Sequence, residues 1–249
     1  LEDFFKRIET QYKKQLPFVV YSKPRESKVN AWLQHTNDLH FVNDFTEEGF
    51  VFAPFDDAEN SVILLLDNSE VISTSFIIPD EAKRHATSNT VPLEAKQHHI
   101  NLVNKGVEAI KGGAFKKVVL SRQETVNLTE TNPISIFKKL LSNYASAFVY
   151  CWYHPKVGLW LGATPETLMK IDGNRFSIMA LAGTQDYNGS LDVSWGKKEQ
   201  LEQKFVTDFI IESLNPSVES LKITDTETVK AGNLLHLKTM ISAKLKSNA

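Results

Sequence analysis

Between residues 147 and 184 the chain carries three runs, AFVYCWYH, VGLWLGAT and RFSIMALAGT, dense in β-branched and aromatic residues. Pro, Gly and an Asp-Gly-Asn sequence separate them, so the middle of the chain reads as sheet that the remaining segments must cover. Residues 2–14 place Phe4, Phe5, Ile8 and Tyr12 at helical spacing among charges, which predicts an amphipathic helix followed by a short strand, PFVVY, at 17–21. GFVFAPF, SVILLL and TSFIIP between 50 and 78 read as a strand meander. Helical spacing returns over 92–111, Gly112 and Gly113 supply a stop, and KKVVLSRQETVNL at 116–128 reads as a strand. Asn132 and Pro133 open a helix through about Tyr144, residues 195–214 form the strongest helix, and LLHLKTMISAKL is a final strand. Strands interleaved irregularly with long helices predict an α+β layered fold in one domain over 1–249, not the regular βαβα rhythm of a doubly wound sheet.

Composition narrows the function classes. With 42% hydrophobic residues, 23% charged residues and a net charge of −2, the chain falls in the globular range. It has no block of like charge to form a footprint for nucleic acid, and no run of roughly 18 apolar residues to span a bilayer. The single cysteine, Cys151, allows no internal disulfide and no thiolate metal cluster, which fits a reducing cytoplasm. There is no Gly-rich phosphate loop, no dinucleotide fingerprint and no nucleophile elbow around Ser121.

A few residues stand out chemically. On a helix over 195–214, Leu201, Phe205, Val206, Phe209, Ile210 and Leu214 share one broad face, and Glu202 falls near its middle. A carboxylate there is costly unless it escapes to solvent, compensates the helix N-terminus, or ligates a hard cation such as Mg²⁺ or Ca²⁺; periodicity leaves all three open. Lys117 starts the run KVVLSR on the same alternating face as Val119 and Ser121, and it would be buried if both faces are covered. It is a general-base candidate or simply a solvated strand end. Glu166 follows Pro165 where a strand turns, as either a catalytic acid or a local turn acid. Gly183 and Thr184 end another apolar strand and could receive an anion. His236, between Leu235 and Leu237, could equally be structural, and His98 and His99 have no companion ligands at metal-site spacing.

Taken in order, KVVLSR at 117–122, GATPETL at 162–168, LAGT at 181–184, KEQLEQKFV at 198–206 and HLKT at 236–239 resemble the chorismate-utilising enzymes. That family includes isochorismate, salicylate, anthranilate and aminodeoxychorismate synthases. The resemblance implies a layered α/β/β/α fold with a large antiparallel β-sandwich. Residues 1–90 correspond to its variable N-terminal part and 91–249 to its motif-bearing part. Lysine at 117, where ammonia-using members carry glutamine, and LAGT in place of a PIxGT-like sequence resemble the branch that uses water.

By that resemblance, Lys117 activates the water that adds to C2 of chorismate, and Glu166 protonates the departing C4 hydroxyl. Glu202 ligates Mg²⁺, while Gly183, Thr184 and His236 contact substrate. The implied activity is isochorismate synthase, in a cytoplasmic monomer with chorismate and isochorismate as its partners. Salicylate synthase, or an inactive truncated chorismate-binding relative, is the alternative. The family pattern continues past the HLxT strand through further substrate-binding and metal-binding motifs that have no position before Ala249, so the pattern is expected to be incomplete at the C-terminus.

Overall fold

The computed structural model describes residues 1–56, 58–76, 92–128, 130–164 and 166–246. In chain order the elements are α1 (Glu2–Lys13), β1 (Phe18–Ser22), β2 (Lys28–Gln34), β3 (His40–Phe41), β4 (Gly49–Phe52), β5 (Val62–Leu65), β6 (Ser69–Ser75), α2 (Leu93–Lys111) and α3 (Pro133–Asn143). They continue with β7 (Phe148–His154), β8 (Gly158–Thr164), β9 (Lys170–Asp172), β10 (Arg175–Asp186), α4 (Lys197–Leu214), β11 (Val218–Ile223), β12 (Glu227–Ala231) and β13 (Leu234–Leu245). Helices and wholly antiparallel sheets make this the expected α+β class. The described residues gather into two compact units, one from 1–86 and 127–165, the other from 87–126 and 166–249.

In the first unit, an antiparallel sheet runs β6-β2-β1-β7-β8. Alternation along β1 sends Phe18 and Val20 to one face, where they join Phe5 and Ile8 of α1 and Ile134 and Phe137 of α3 in a fully enclosed core. Val19 points to the other face with Trp152, Val62 and Leu64. There the small sheet β3-β5-β4 packs, and Phe52 stacks on Trp152 with ring centroids 4.5 Å apart. The helix α3 starts where its chemistry demands: Asn132 Oδ1 accepts from the Ile134 backbone N–H at 2.9 Å, and Pro133 occupies the first turn. The run read as one meander over 50–78 is divided, because β4 pairs with β5 whereas β6 pairs with β2. Residues 77 and 78 lie outside the described residues.

In the second unit, β10 and β13 form a long antiparallel ladder from Arg175 opposite Lys244 to Asp186 opposite Leu234. β9 and β11 flank it, and β12 pairs with the first half of β13. Gly173, at φ +58°, makes the two-residue turn between β9 and β10. α4 lies across β10 and β13. α2 ends as the two glycines predict: Gly113 takes φ +77°, its N–H donates to the Ile110 carbonyl, and the Ala114 N–H reaches back to Ala109.

Two expectations are corrected in this unit. Residues 117–128 form no strand, and among the described residues no backbone ladder bond joins them to a neighbour. The run keeps only a side-chain preference: a Cβ on Gly106 of α2 would lie 3.3 Å from both Val118 Cγ1 and Leu120 Cδ1, while Val119 is 81% exposed. β-branched residues favour a pleated surface but cannot make one without a partner strand. The apolar face read on α4 is also not the buried one, since Leu201 and Phe209 are 52% and 70% exposed and Gln203 is the buried residue of the helix.

Candidate functional site

The β10–β13 ladder is interrupted at one point. Ala182 pairs with Leu237 and Gln185 with Leu235, so Gly183 and Thr184 together oppose the single residue His236. This is a β-bulge with glycine in the left-handed region, φ +71°, the conformation in which a side chain is strained. The His236 Nδ1 lies 3.0 Å from the Gly183 carbonyl oxygen and 3.2 Å from Thr184 Oγ1. A carbonyl only accepts, so Nδ1 carries the proton and donates, which leaves the Nε2 lone pair of the neutral ring for another partner. Gly183 is buried, whereas Thr184 is exposed.

The first turn of α4 rests on this bulge. A Cβ on Gly183 would sit 3.3 Å from both Glu199 Cβ and the Glu199 carbonyl oxygen. One turn further along, Glu202 Oε1 lies 3.6 Å from Lys117 Nζ, with both side chains about one-third exposed (34% and 27%). Lys117 is therefore not the fully buried ammonium expected of a strand covered on both faces. It projects from a segment that forms neither helix nor strand and finds its counter-charge on α4. The carboxylate that looked misplaced on the helix is explained by that lysine and by partial solvation.

The structure thus links Lys117 to Glu202, and through Glu199 of the same helix to Gly183, Thr184 and His236. Glu166 lies in the same unit but is exposed and makes no hydrogen bond or ion pair among the described residues; Pro165 before it lies outside them. Gln203 is the residue that sequence reasoning missed. Its Nε2 donates to the Ala180 carbonyl at 3.0 Å and to Thr239 Oγ1 at 3.1 Å, inside the interface of α4 with the sheet. Glutamine in a run of mixed character carries no periodic signal, so only its place beside Glu202 could have drawn attention to it.

Glu199 and Glu202, three residues apart on one helix, offer the hard oxygen donors that Mg²⁺ accepts alongside water and substrate oxygens. Among the described residues no three His, Cys, Asp or Glu side chains converge on a cation position.

The chain belongs to the chorismate binding enzyme family, whose model matches residues 49–249. It is 30% identical over 152 residues to the salicylate biosynthesis isochorismate synthase of Pseudomonas aeruginosa, covering 57% of this chain and 32% of that protein. It is 27% identical over 157 residues to the isochorismate synthase MenF of Pasteurella multocida, covering 58% and 36%. Anthranilate synthase components also match, over shorter stretches. The matches span only about a third of these curated relatives' lengths. In fold, the chain is similar to DhbC from Bacillus anthracis, with a TM-score of 0.67 at 15% identity over 98% of this chain and 72% of that one.

Proposed function

We propose that the site serves the reversible, Mg²⁺-dependent conversion of chorismate to isochorismate. The observation that carries this reading is the Lys117–Glu202 pair, a potential base held beside a potential metal ligand in a chain of the chorismate binding family. A glutamine at 117 has no basic nitrogen with which to deprotonate water and would suit ammonia; a lysine suits water.

In this mechanism Lys117, as the free amine, takes a proton from the water that adds to C2, and Glu166 gives a proton to the hydroxyl that leaves C4 while the ring double bonds shift. One water enters and one departs, so the reaction is an isomerisation, and solvent returns each group to its starting state. In the ion pair Lys117 is an ammonium, so its proton must leave before it can act. Glu202 would hold Mg²⁺, which when bound neutralises the carboxylate charge of the substrate. Thr184 presents its hydroxyl at the surface of the bulge, and His236, with Nδ1–H committed to Gly183, offers Nε2 to a substrate hydroxyl. A cytoplasmic monomer acting on chorismate alone completes the reading; no helix among the described residues is long and apolar enough to cross a membrane.

Chromatography of chorismate incubated with the protein and Mg²⁺, with and without chelator, tests this. Isochorismate formed only with the metal is expected. Metal-independent turnover, or salicylate and pyruvate as the sole products, overturns it, the latter in favour of salicylate synthase. Tight calorimetric binding of chorismate without turnover would instead identify an inactive binding relative.

A further inference from the structure

We propose that Gln203 is a positioning residue that sets the rotation of α4 about its own axis and so decides which side chains the helix presents to the site. The assignment deepens, and rests on, the chorismate reading above.

An amphipathic helix is ordinarily oriented by its apolar stripe. α4 is not: Leu201 and Phe209 lie largely in solvent, and the one side chain classed as buried along its length is Gln203, at 3% exposure. Its amide spans two strands, donating to the Ala180 carbonyl of β10 and to Thr239 Oγ1 of β13, and the Thr239 hydroxyl is in turn 2.9 Å from Thr226 Oγ1. Successive helical residues are about 100° apart. A slip of one residue would put Glu202 into the position of the amide and take it away from Lys117. Gly183 fixes the first turn through Glu199, and Gln203 fixes the second.

Stability alone does not account for a glutamine here. Its Oε1 is buried with no hydrogen-bond partner, a standing cost that a leucine of similar size would avoid. The directional bonds of the amide supply what a leucine cannot, a single angular setting.

The test replaces Gln203 and Thr239 with apolar groups of similar shape, Gln203→Leu with Thr239→Val, so that no buried hydroxyl is left facing the leucine; Thr226, which loses Thr239, is exposed and can turn to water. Amide exchange, the thermal midpoint and calorimetric affinity for chorismate with Mg²⁺ are then measured on the full chain. The expected result is a midpoint close to that of the parent, exchange about tenfold faster over 198–206 with the β10–β13 amides unchanged, and chorismate affinity about tenfold weaker. Unchanged exchange over 198–206, or weaker affinity accompanied by a matching fall in the midpoint, overturns the assignment and leaves Gln203 a packing residue. A parent chain that fails to bind chorismate would count against the functional reading, while exchange in α4 still decides the role of Gln203.

Discussion

The Nδ1 of His236 lies 3.0 Å from the carbonyl oxygen of Gly183, across the one place where the β10–β13 ladder loses its register. The imidazole takes over a backbone acceptor at the irregularity, and the extra residue in β10 is accommodated without an orphaned carbonyl. The same irregularity delivers Thr184 to solvent and gives the first turn of α4 a flat surface at Gly183 on which to rest. Structure and site are therefore one feature at this position.

Gly183→Ala should be destabilising for two separate reasons. The backbone stands at φ +71°, and the added methyl would press on the Glu199 backbone oxygen, which cannot swing aside as a flexible side chain would. A loss of about 1–3 kcal/mol in urea unfolding is expected. A midpoint unchanged from the parent would show that the bulge is not constrained in this way.

Lys117→Ala should separate function from stability. The ion pair with Glu202 is partly exposed and 3.6 Å long, so its removal should cost under about 1 kcal/mol. If Lys117 is the base, turnover should fall on the order of 10²–10⁴-fold with the fold intact. Glu166→Gln should behave likewise, because its carboxylate is exposed and makes no hydrogen bond or ion pair among the described residues. Parallel losses of stability and turnover would point to a structural role for either residue.

Much of this molecule is legible in its amino-acid order because the signals are local. Asn132 with Pro133 and Gly112 with Gly113 act on the nearest backbone groups, and the dense β-branched and aromatic runs of β1, β7 and β10 mark strands. What is not legible depends on distant partners. Residues 116–128 have every compositional mark of a strand, but pairing is decided by a neighbour that sequence does not name. The orientation of α4 is set by one amide reaching Ala180 and Thr239, a tertiary constraint that outweighs an apolar stripe. At the site, Lys117, Glu202, Gly183, Thr184 and His236 stand out by residue type and position, with structural readings left open, and only the resemblance to a family pattern gives them roles. The bulge that joins three of them leaves only a single glycine in LAGT as its trace.

Cys151 should be inert in the native protein. It sits on β7 in the closed core of the first unit, and burial pushes its thiol up to about 12, so almost no thiolate exists near pH 8. A disulfide reagent that reports free thiols should give no signal with the folded chain and one equivalent after denaturation. Rapid reaction under native conditions would show that the core opens at β7.

His154 should make the first unit sensitive to acid. It is fully buried at the end of β7, where Nδ1 accepts the Lys156 backbone N–H at 3.1 Å; the opposite nitrogen therefore carries the proton and donates to the Asp38 carbonyl at 3.2 Å. Both nitrogens are satisfied only in the neutral ring. Burial holds His154 below the ordinary histidine range, opposed in part by the bond to Asp38 and assisted by Lys156 and His40. The unfolded chain, with a histidine near the usual value of about 6.5, binds a proton that the native chain refuses. Its contribution to stability is therefore intact above that pH and is lost progressively as pH falls towards the lower native value. Gln34, also buried, donates to the same Asp38 carbonyl and to Thr36, so protonation should loosen the loop at 35–39 first. His154→Gln can both donate and accept in place of the ring but does not titrate. Urea midpoints measured from pH 8 to 5 should fall more steeply for the parent than for this variant, and parallel curves would show that another group carries the acid sensitivity.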